Sequence, residues 1–544
     1  MNTKVLIVGA GPTGLMLANQ LARRNIAVTI IDQHAGPSTQ TKALGVQART
    51  MEIYSRLGIA ERALELGKRA AGATIWVKGK SVARVPLGDI GAEISPYPFL
   101  LILGQDDNEA LLGNALQAHG ISVQWNSKLV DLVQTADGAL ARIARQDGSI
   151  MEIAADWVAG CDGPRSMVRD ACQIPFSGAL YQHVFYVADT QATGFMKPDE
   201  LNVYLWRGGF HLFFPLRGKD HWRVVGILPA ELHDREALDF DAVAPFVRRE
   251  VEGAEQGTAL SFQECRWFST YRVHHRRAER FRDRRCFLLG DAAHIHSPVG
   301  AQGMNTGLQD AYNLAWKLAL VISGKADEAL LDTYAIERIP VAERLLKTTD
   351  RAFSFLISER WLAEVFRTQI FQQIVARAMT RERTRKLAFQ TISQTGIRYR
   401  RSPLSRMQAH MPETAPQAGD RFPWLQLKFT AGGPVEDLFR KLDDRGFHLL
   451  LFGQKPDAGG LQAGADGIIR IHEIPRDTFN DQVLAHAGIP LPSFYLVRPD
   501  GHVAMAGAGL DSHALHHYLT DALKLHPHAA TASAADSAAS HSPH

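Results

Sequence analysis

The feature that most constrains this chain stands at its start, where residues 4–8, Lys-Val-Leu-Ile-Val, run directly into Gly9-Ala-Gly-Pro-Thr-Gly14. A short apolar run followed by G-x-G-x-x-G reads as a buried strand, a tight turn and the opening of a helix. Apolar periodicity continues to about Asn25, and residues 27–31, Ala-Val-Thr-Ile-Ile, form a second strand that ends at Asp32. The whole is a βαβ unit of the dinucleotide-binding kind. Gly9 permits the turn, Gly11 lets the backbone approach a pyrophosphate, and Gly14 lets helix and strand pack closely. The helix N-terminus, with Thr13 in its first turn, offers unpaired N–H groups and a partial positive charge to phosphate. Asp32 and its neighbour Gln33 stand where a ribose would accept or donate hydrogen bonds. This unit alone does not separate FAD from NAD.

The remaining 500 or so residues set the organisation. A chain of 544 residues is expected to form two to four domains. Residues 1–175 and 265–400 read as the nucleotide-binding domain, the latter ending in a long helical stretch from about 305. Residues 176–264, rich in alternating aromatic and β-branched side chains, read as an inserted antiparallel sheet. The proline-rich stretch 401–423 reads as a linker, 424–523 as a further α/β domain, and the Ala/Ser/His-rich 524–544 as a disordered tail. The fold class is α/β. A net charge of +3 is too small to argue for nucleic acid. The four cysteines, Cys161, Cys172, Cys265 and Cys286, form no C-x-x-C pair, which suggests neither zinc nor a disulfide framework but a reducing, cytoplasmic setting. No signal peptide is expected, and no run reaches the ~18 apolar residues of a membrane span.

Two further motifs carry a family resemblance. Asp162-Gly-Pro-Arg-Ser-Met-Val-Arg169 and Gly290-Asp-Ala-Ala-His-Ile-His-Ser-Pro-Val-Gly-Ala-Gln-Gly-Met-Asn-Thr-Gly307 follow the N-terminal glycine turn. In order and spacing the three resemble the single-component FAD-dependent aromatic hydroxylases, a family that includes phenol, 3-(3-hydroxyphenyl)propionate and aromatic polyketide hydroxylases. The resemblance covers roughly residues 3–400. It implies FAD as resident cofactor, NADPH or NADH as transient electron donor, and an aromatic small molecule and O₂ as reactants. Hydroxylation would proceed through a flavin hydroperoxide. A Baeyer–Villiger or epoxidising oxygenase, or a flavoprotein that does not oxygenate, would carry the same motifs. Residues 419–423, Gly-Asp-Arg-Phe-Pro, and 497–504, Val-Arg-Pro-Asp-Gly-His-Val-Ala, resemble the C-terminal thioredoxin-like domain of longer members. With no cysteine after Cys286, that domain would serve packing or a homodimer rather than thiol chemistry.

The resemblance also assigns residues. Asp291, with Gly290, is implied to face the ribityl chain; Pro298, Gly300, Gly303, Met304 and Asn305 are implied to form the loop and helix start beside the flavin ring, Pro298 nearest the chemistry. Asp162 is implied near the pyrophosphate, Gln105 on the flavin side, Arg49 near the phosphates or ribityl, and Lys42 where many members have arginine. A base that favours the phenolate is chemically desirable. His211, in the inserted sheet with Tyr204, Tyr271, Trp206, Phe213 and Arg223, is the candidate. Seven arginines between Arg272 and Arg285 could attract an anion or form a solvated strand and turn. His294 and His296 are read as flavin-proximal or structural, and no metal is expected.

Overall fold

The computed structural model describes residues 1–38, 44–206, 209–233, 238–252, 260–296, 302–357, 381–408, 410–456 and 467–526. Strand Asn2–Val8 lies inside a seven-stranded sheet, parallel to Val28–Ile31 on one side and to Ile150–Gly160 on the other, with Cys286–Leu288 parallel beyond. Residues 5–8 are buried throughout, as a strand covered on both faces must be. The register sets Val8 beside Ile31 and Gly160, and Gly160 beside Leu288. Four strands therefore end level along one edge. The residues that follow them are Gly9, Asp32, Cys161–Asp162 and Leu289–Gly290, so strand pairing alone gathers motifs separated by up to 280 residues. In open parallel sheets that edge is where ligands bind. Helix Pro12–Ala22 packs against helices Gly303–Ile322 and Gln105–Gln117, covering one face.

The second sheet has eight strands in the order His294–Ile295, Ser261–Ala278, Phe176–Thr193, His221–Ile227, Gly209–Pro215, Glu200–Trp206, Gly72–Val77 and Lys80–Val85. It is not confined to 176–264. The hairpin at 72–85 supplies two strands, Gly72–Val77 pairing in parallel with Glu200–Trp206, and the strand from Ser261 runs on to Ala278. The hairpin escapes a pattern reading because Lys78 and Lys80 flank its turn and Lys80–Val85 holds no buried residue. One face of the sheet is covered by helix Phe240–Glu252, whose Val243 and Val247 pack with Trp76, Tyr186, Tyr204, Phe213 and Trp222. The other face, with Val187, Phe214 and Val225, meets Leu44, Ala48, Leu100 and Ile102 of the first unit.

The C-terminal unit is a five-stranded sheet in the order Arg406–Met407, Val503–Gly507, Ser493–Val497, Phe447–Phe452, Ile469–Ile474. The expected linker at 401–423 belongs to it. Arg406–Met407 is its edge strand, Ala418 and Phe422 lie in its core, and Arg400 pairs with Asp420 at 2.7 Å. Its prolines mark turns on a packed surface, not a free tether. Of the expected tail, Leu525 is buried and bridges to Ala326, while 527–544 lie outside the described residues.

Charged side chains join this unit to the first. Glu337, wholly buried, accepts from both terminal nitrogens of Arg498 (2.6 and 2.9 Å), from Lys317 (2.8 Å), Asn313 (2.7 Å) and Ser402 (2.6 Å). Arg498 also pairs with Asp500. A second junction sets Arg421 on Glu52 at 2.6 and 2.9 Å. Burial alone would raise the Glu52 carboxyl, but Arg421 and Arg49 outweigh it and hold it below the usual range. Arg421 comes from Gly-Asp-Arg-Phe-Pro and Arg498 and Asp500 from Val-Arg-Pro-Asp-Gly-His, so both C-terminal motifs are docking elements.

Candidate functional site

The site grows from the level strand ends. Gly9 has φ +103°, a conformation that L side chains rarely adopt, and a methyl there would strike the Cys161 carbonyl. A methyl on Gly14 would overlap the Gly9 carbonyl oxygen, and one on Gly307 would overlap the Thr13 hydroxyl. Gly290, at φ +58°, also sits against Thr13. Thr13 is thus the point where the first turn, the Gly290 turn and helix Gly303–Ile322 meet. Gly11 is different: a Cβ there would meet no atom within 4 Å. It is the N-cap of helix Pro12–Ala22, which has no side-chain cap and no acidic residue in its first turn. Unpaired N–H groups face an open approach there, which is an anion site by construction.

Asp32 is turned toward that site. One carboxylate oxygen accepts from the Ala10 N–H at 2.7 Å, and the other from the His34 N–H at 2.9 Å. It therefore shapes the glycine turn as well as standing at the strand end expected for a ribose contact. Gln33 beside it is exposed. Asp162 lies against Gly9, accepting from the Val168 N–H at 3.2 Å, and its buried Oδ1 has no hydrogen-bond partner among the described residues. Burial pushes this carboxyl above its usual range. Gln105 opens helix Gln105–Gln117 and donates to Glu109 at 2.8 Å; Glu109 in turn accepts from the Ser38 N–H at 2.9 Å. Burial, chiefly, raises the Glu109 carboxyl. Asp291 is exposed on the 3₁₀ turn Gly290–Ala292. The glycine cradle, the open N-terminus and the orphaned Asp162 oxygen fit the ADP half of FAD, and exposed Asp291 fits a polyol neighbour.

Several expected contacts are relocated. Arg49 is buried and committed elsewhere, donating to Glu52 at 2.8 Å and to the Asp500 carbonyl at 2.5 Å. It serves the junction with the C-terminal unit, so the assignment to the FAD phosphates or ribityl chain is corrected. Asn305 spends its side chain on structure: it accepts from the Gln47 N–H (2.9 Å) and the Thr50 hydroxyl (2.7 Å) and donates to the Gly45 carbonyl (2.9 Å). It ties the flavin-loop helix to the segment beneath the large sheet. Met304 receives Asn108 Nδ2 at 3.3 Å, and Gly303 sits against His296. Lys42, Pro298 and Gly300 lie outside the described residues.

His211 is the clearest correction. It is wholly buried, its Nδ1 is 2.8 Å from the Tyr186 hydroxyl, and it packs between Trp206 and Phe246. Phe246 belongs to helix Phe240–Glu252, so His211 faces the side of the sheet away from the first unit. Burial lowers its pKa to about 3, so it is a neutral core residue. The opposite face offers Tyr271 and the Arg223–Asp189 ion pair, with Arg223 5.3 Å above the Trp267 ring. Of the arginines at 272–285, Arg277, Arg280, Arg282, Arg284 and Arg285 each have a carboxylate partner, which favours the solvated strand and turn over an anion site.

Three supporting residues were not anticipated. Asp310 binds the Gly290 N–H and His294, Arg338 binds Asp310, and Arg169 donates to the Ala292 carbonyl at 3.2 Å. As the one acidic residue of helix Gly303–Ile322, Asp310 was the available signal. Among the described residues no cluster of three or more His, Cys, Asp or Glu could hold a metal, and no helix is long and apolar enough to cross a membrane.

Known proteins resemble this chain over most of its length. Residues 2–349 match a family model described as FAD binding domain. The chain is 32% identical over 525 residues to a 6-methylpretetramide 4-monooxygenase of Streptomyces rimosus, covering 93% of this chain and 90% of the relative. It is 36% identical over 353 residues to a pentachlorophenol 4-monooxygenase of Sphingobium chlorophenolicum, covering 63% of each. The crystal structure of aklavinone-11 hydroxylase with FAD and aklavinone superimposes with a TM-score of 0.78 at 25% identity, covering 96% of this chain and 99% of that one.

Proposed function

This chain belongs to the FAD binding domain family and is an FAD-dependent aromatic monooxygenase using NAD(P)H, and from that premise we propose that it hydroxylates a polycyclic phenolic substrate held between the large sheet and the start of helix Gly303–Ile322. One observation carries the location. Asn305 fastens the flavin-loop helix to Gly45, Gln47 and Thr50, and the adjoining Leu44 and Ala48 pack beneath Val187, Phe214, Val225 and Tyr271 of the sheet. Among the described residues, helix Gly303–Ile322 is thus tied to the sheet face opposite His211. The length of the matches favours several rings over one. The relative followed along nine-tenths of its length acts on 6-methylpretetramide, whereas the match to the pentachlorophenol enzyme covers 63% of it.

Bound FAD would accept electrons from NAD(P)H and activate O₂ for transfer to the ring. The chain's part is to place and shield. Gly9, Gly11, Gly14 and Thr13 would hold the pyrophosphate, with Asp32 and Gln33 at the ribose and Asp162 beneath. Asp291 would accept from the ribityl hydroxyls. Aromatic and aliphatic residues of the sheet face would exclude water from the reacting atoms. Arg223, aimed by Asp189, is our candidate for favouring the substrate's phenolate, since a nearby cation lowers a phenol's pKa. The C-terminal unit reads as a cysteine-free thioredoxin-like domain, because two parallel strands are followed by two antiparallel ones with a helix between. All four cysteines are free thiols, in keeping with a cytoplasmic setting.

The test is the visible spectrum of the purified chain, followed by NADPH oxidation with a panel of mono- and polycyclic phenols under ¹⁸O₂. Flavin bands with label entering a polycyclic phenol are expected. Turnover confined to single-ring phenols would overturn the substrate class, and peroxide as the sole oxygen product with every phenol would overturn the site assignment.

A further inference from the structure

Asp310 is completely buried within helix Gly303–Ile322 and binds both ends of the turn that carries Asp291. Its Oδ2 accepts from the Gly290 N–H at 3.1 Å and lies 2.8 Å from His294 Nε2. Its Oδ1 accepts from Arg338 Nε at 2.6 Å. Arg338 is equally buried, and its other two nitrogens are also spent. One donates to the Thr306 carbonyl at 3.1 Å, in the second turn of the flavin-loop helix, and the other to the Tyr399 hydroxyl at 2.9 Å. Tyr399 lies against the C-terminal unit: its ring centre is 4.3 Å from that of His502, and Arg498 sits 5.3 Å from it. Glu337, the residue before Arg338, is the main anchor of Arg498.

Charge balance alone would need only one cation beside Asp310. A planar fork that meets the flavin-loop helix at two points, Asp310 and Thr306, and Tyr399 at a third does more, because it fixes the orientation of that helix relative to Tyr399 as a point charge cannot. We propose that Arg338 is a positioning residue for the flavin, setting through Asp310 where the Asp291 turn and the flavin-loop helix stand, and that the docked C-terminal unit sets Arg338 through Tyr399. The C-terminal unit then takes part in cofactor placement without touching the cofactor. Burial would raise the Asp310 carboxyl, but Arg338 and His294 outweigh it and keep it ionised, so the acceptor geometry persists at neutral pH. The proposal rests on the FAD reading of the site.

Two variants of the full chain test it, Arg338→Lys and Tyr399→Phe. The readouts are FAD dissociation constant by flavin fluorescence, the position and fine structure of the bound-flavin bands, and the thermal midpoint. Arg338→Lys should weaken FAD about tenfold or more and alter the bands, the loss of charge-assisted hydrogen bonds being the cause. Tyr399→Phe, which removes one buried hydroxyl, should shift both readouts in the same direction by a smaller factor, about threefold. A lowered thermal midpoint with unchanged affinity and bands in both variants would reduce Arg338 to a core stabiliser and overturn the proposal. Should Arg338→Lys fail to fold, Tyr399→Phe decides alone. A wild-type chain that binds no FAD overturns the underlying reading instead, so the two failures are distinct.

Discussion

Replacing Glu337 with Gln strikes the junction where its charges are best counted. Lys317 and Arg498 bring two positive charges, and Glu337 and Asp500 two negative ones, all out of contact with solvent. The substituted amide would leave one uncompensated positive charge and set its own N–H₂ against donors from four residues, Asn313, Lys317, Ser402 and Arg498. Breaking a buried pair by removing one partner costs about 3–5 kcal/mol. One relief is open. Burial, chiefly, already lowers the Lys317 pKa to about 8 although Glu337 opposes the shift, and without Glu337 it would fall further, so Lys317 would give up its proton near neutrality. The deficit of Glu337→Gln should therefore be smaller at about pH 8 than at about pH 6. Adding Lys317→Met, which removes the surplus charge, should recover part of the loss and give a coupling of about 1–3 kcal/mol. Urea unfolding followed by tryptophan fluorescence, with flavin release as a second probe, measures each value. A single variant within about 0.5 kcal/mol of wild type, or a double variant that is merely additive, would refute the charge reasoning.

Other expectations are as direct. Gly11→Ala should keep the wild-type thermal midpoint in the FAD-free chain, since its φ of −70° suits any residue and its Cβ meets nothing, yet weaken FAD about tenfold, roughly 1.4 kcal/mol; equal affinity would remove Gly11 from the pyrophosphate site. Asp291→Ala should lower FAD occupancy with little change in stability, because the residue is exposed; stoichiometric FAD with unchanged turnover would reject the ribityl contact. His211 and His448 have folded pKa values depressed from 6.5, to about 3 and about 4, mainly by burial. The unfolded chain then binds more protons below that value, so stability should fall as pH drops from 6.5, by on the order of 2 kcal/mol from each at about pH 5. Urea midpoints that stay level between about pH 7 and pH 5 would contradict this.

The sequence was most legible where backbone geometry leaves few options. The glycine turn, Asp32, Asp162 and Gly290 were found as separate motifs, and the parallel register gathers them because each follows a strand end. Side-chain commitments were not legible. Arg49 stands in a segment that resembles flavin-binding relatives, but its partner is a carbonyl 451 residues away. His211 shares its parity with Phe213, yet a sheet buried on both faces loses the polar alternation that would tell which face meets the flavin. The 401–423 stretch reads as a tether by composition because prolines serve loops and packed edge turns alike.

The two junctions also bear on recombination. A crossover near residue 400 that joins this flavin domain to a relative's C-terminal half would part Glu52 from Arg421 and Glu337 from Arg498, so each carboxylate would meet whatever side chain the other parent brings. The boundary that looks safest along the chain is therefore the one least suited to making hybrids. Parents that agree at these four positions should yield folded offspring, and parents that differ there should need the matching pairs exchanged together.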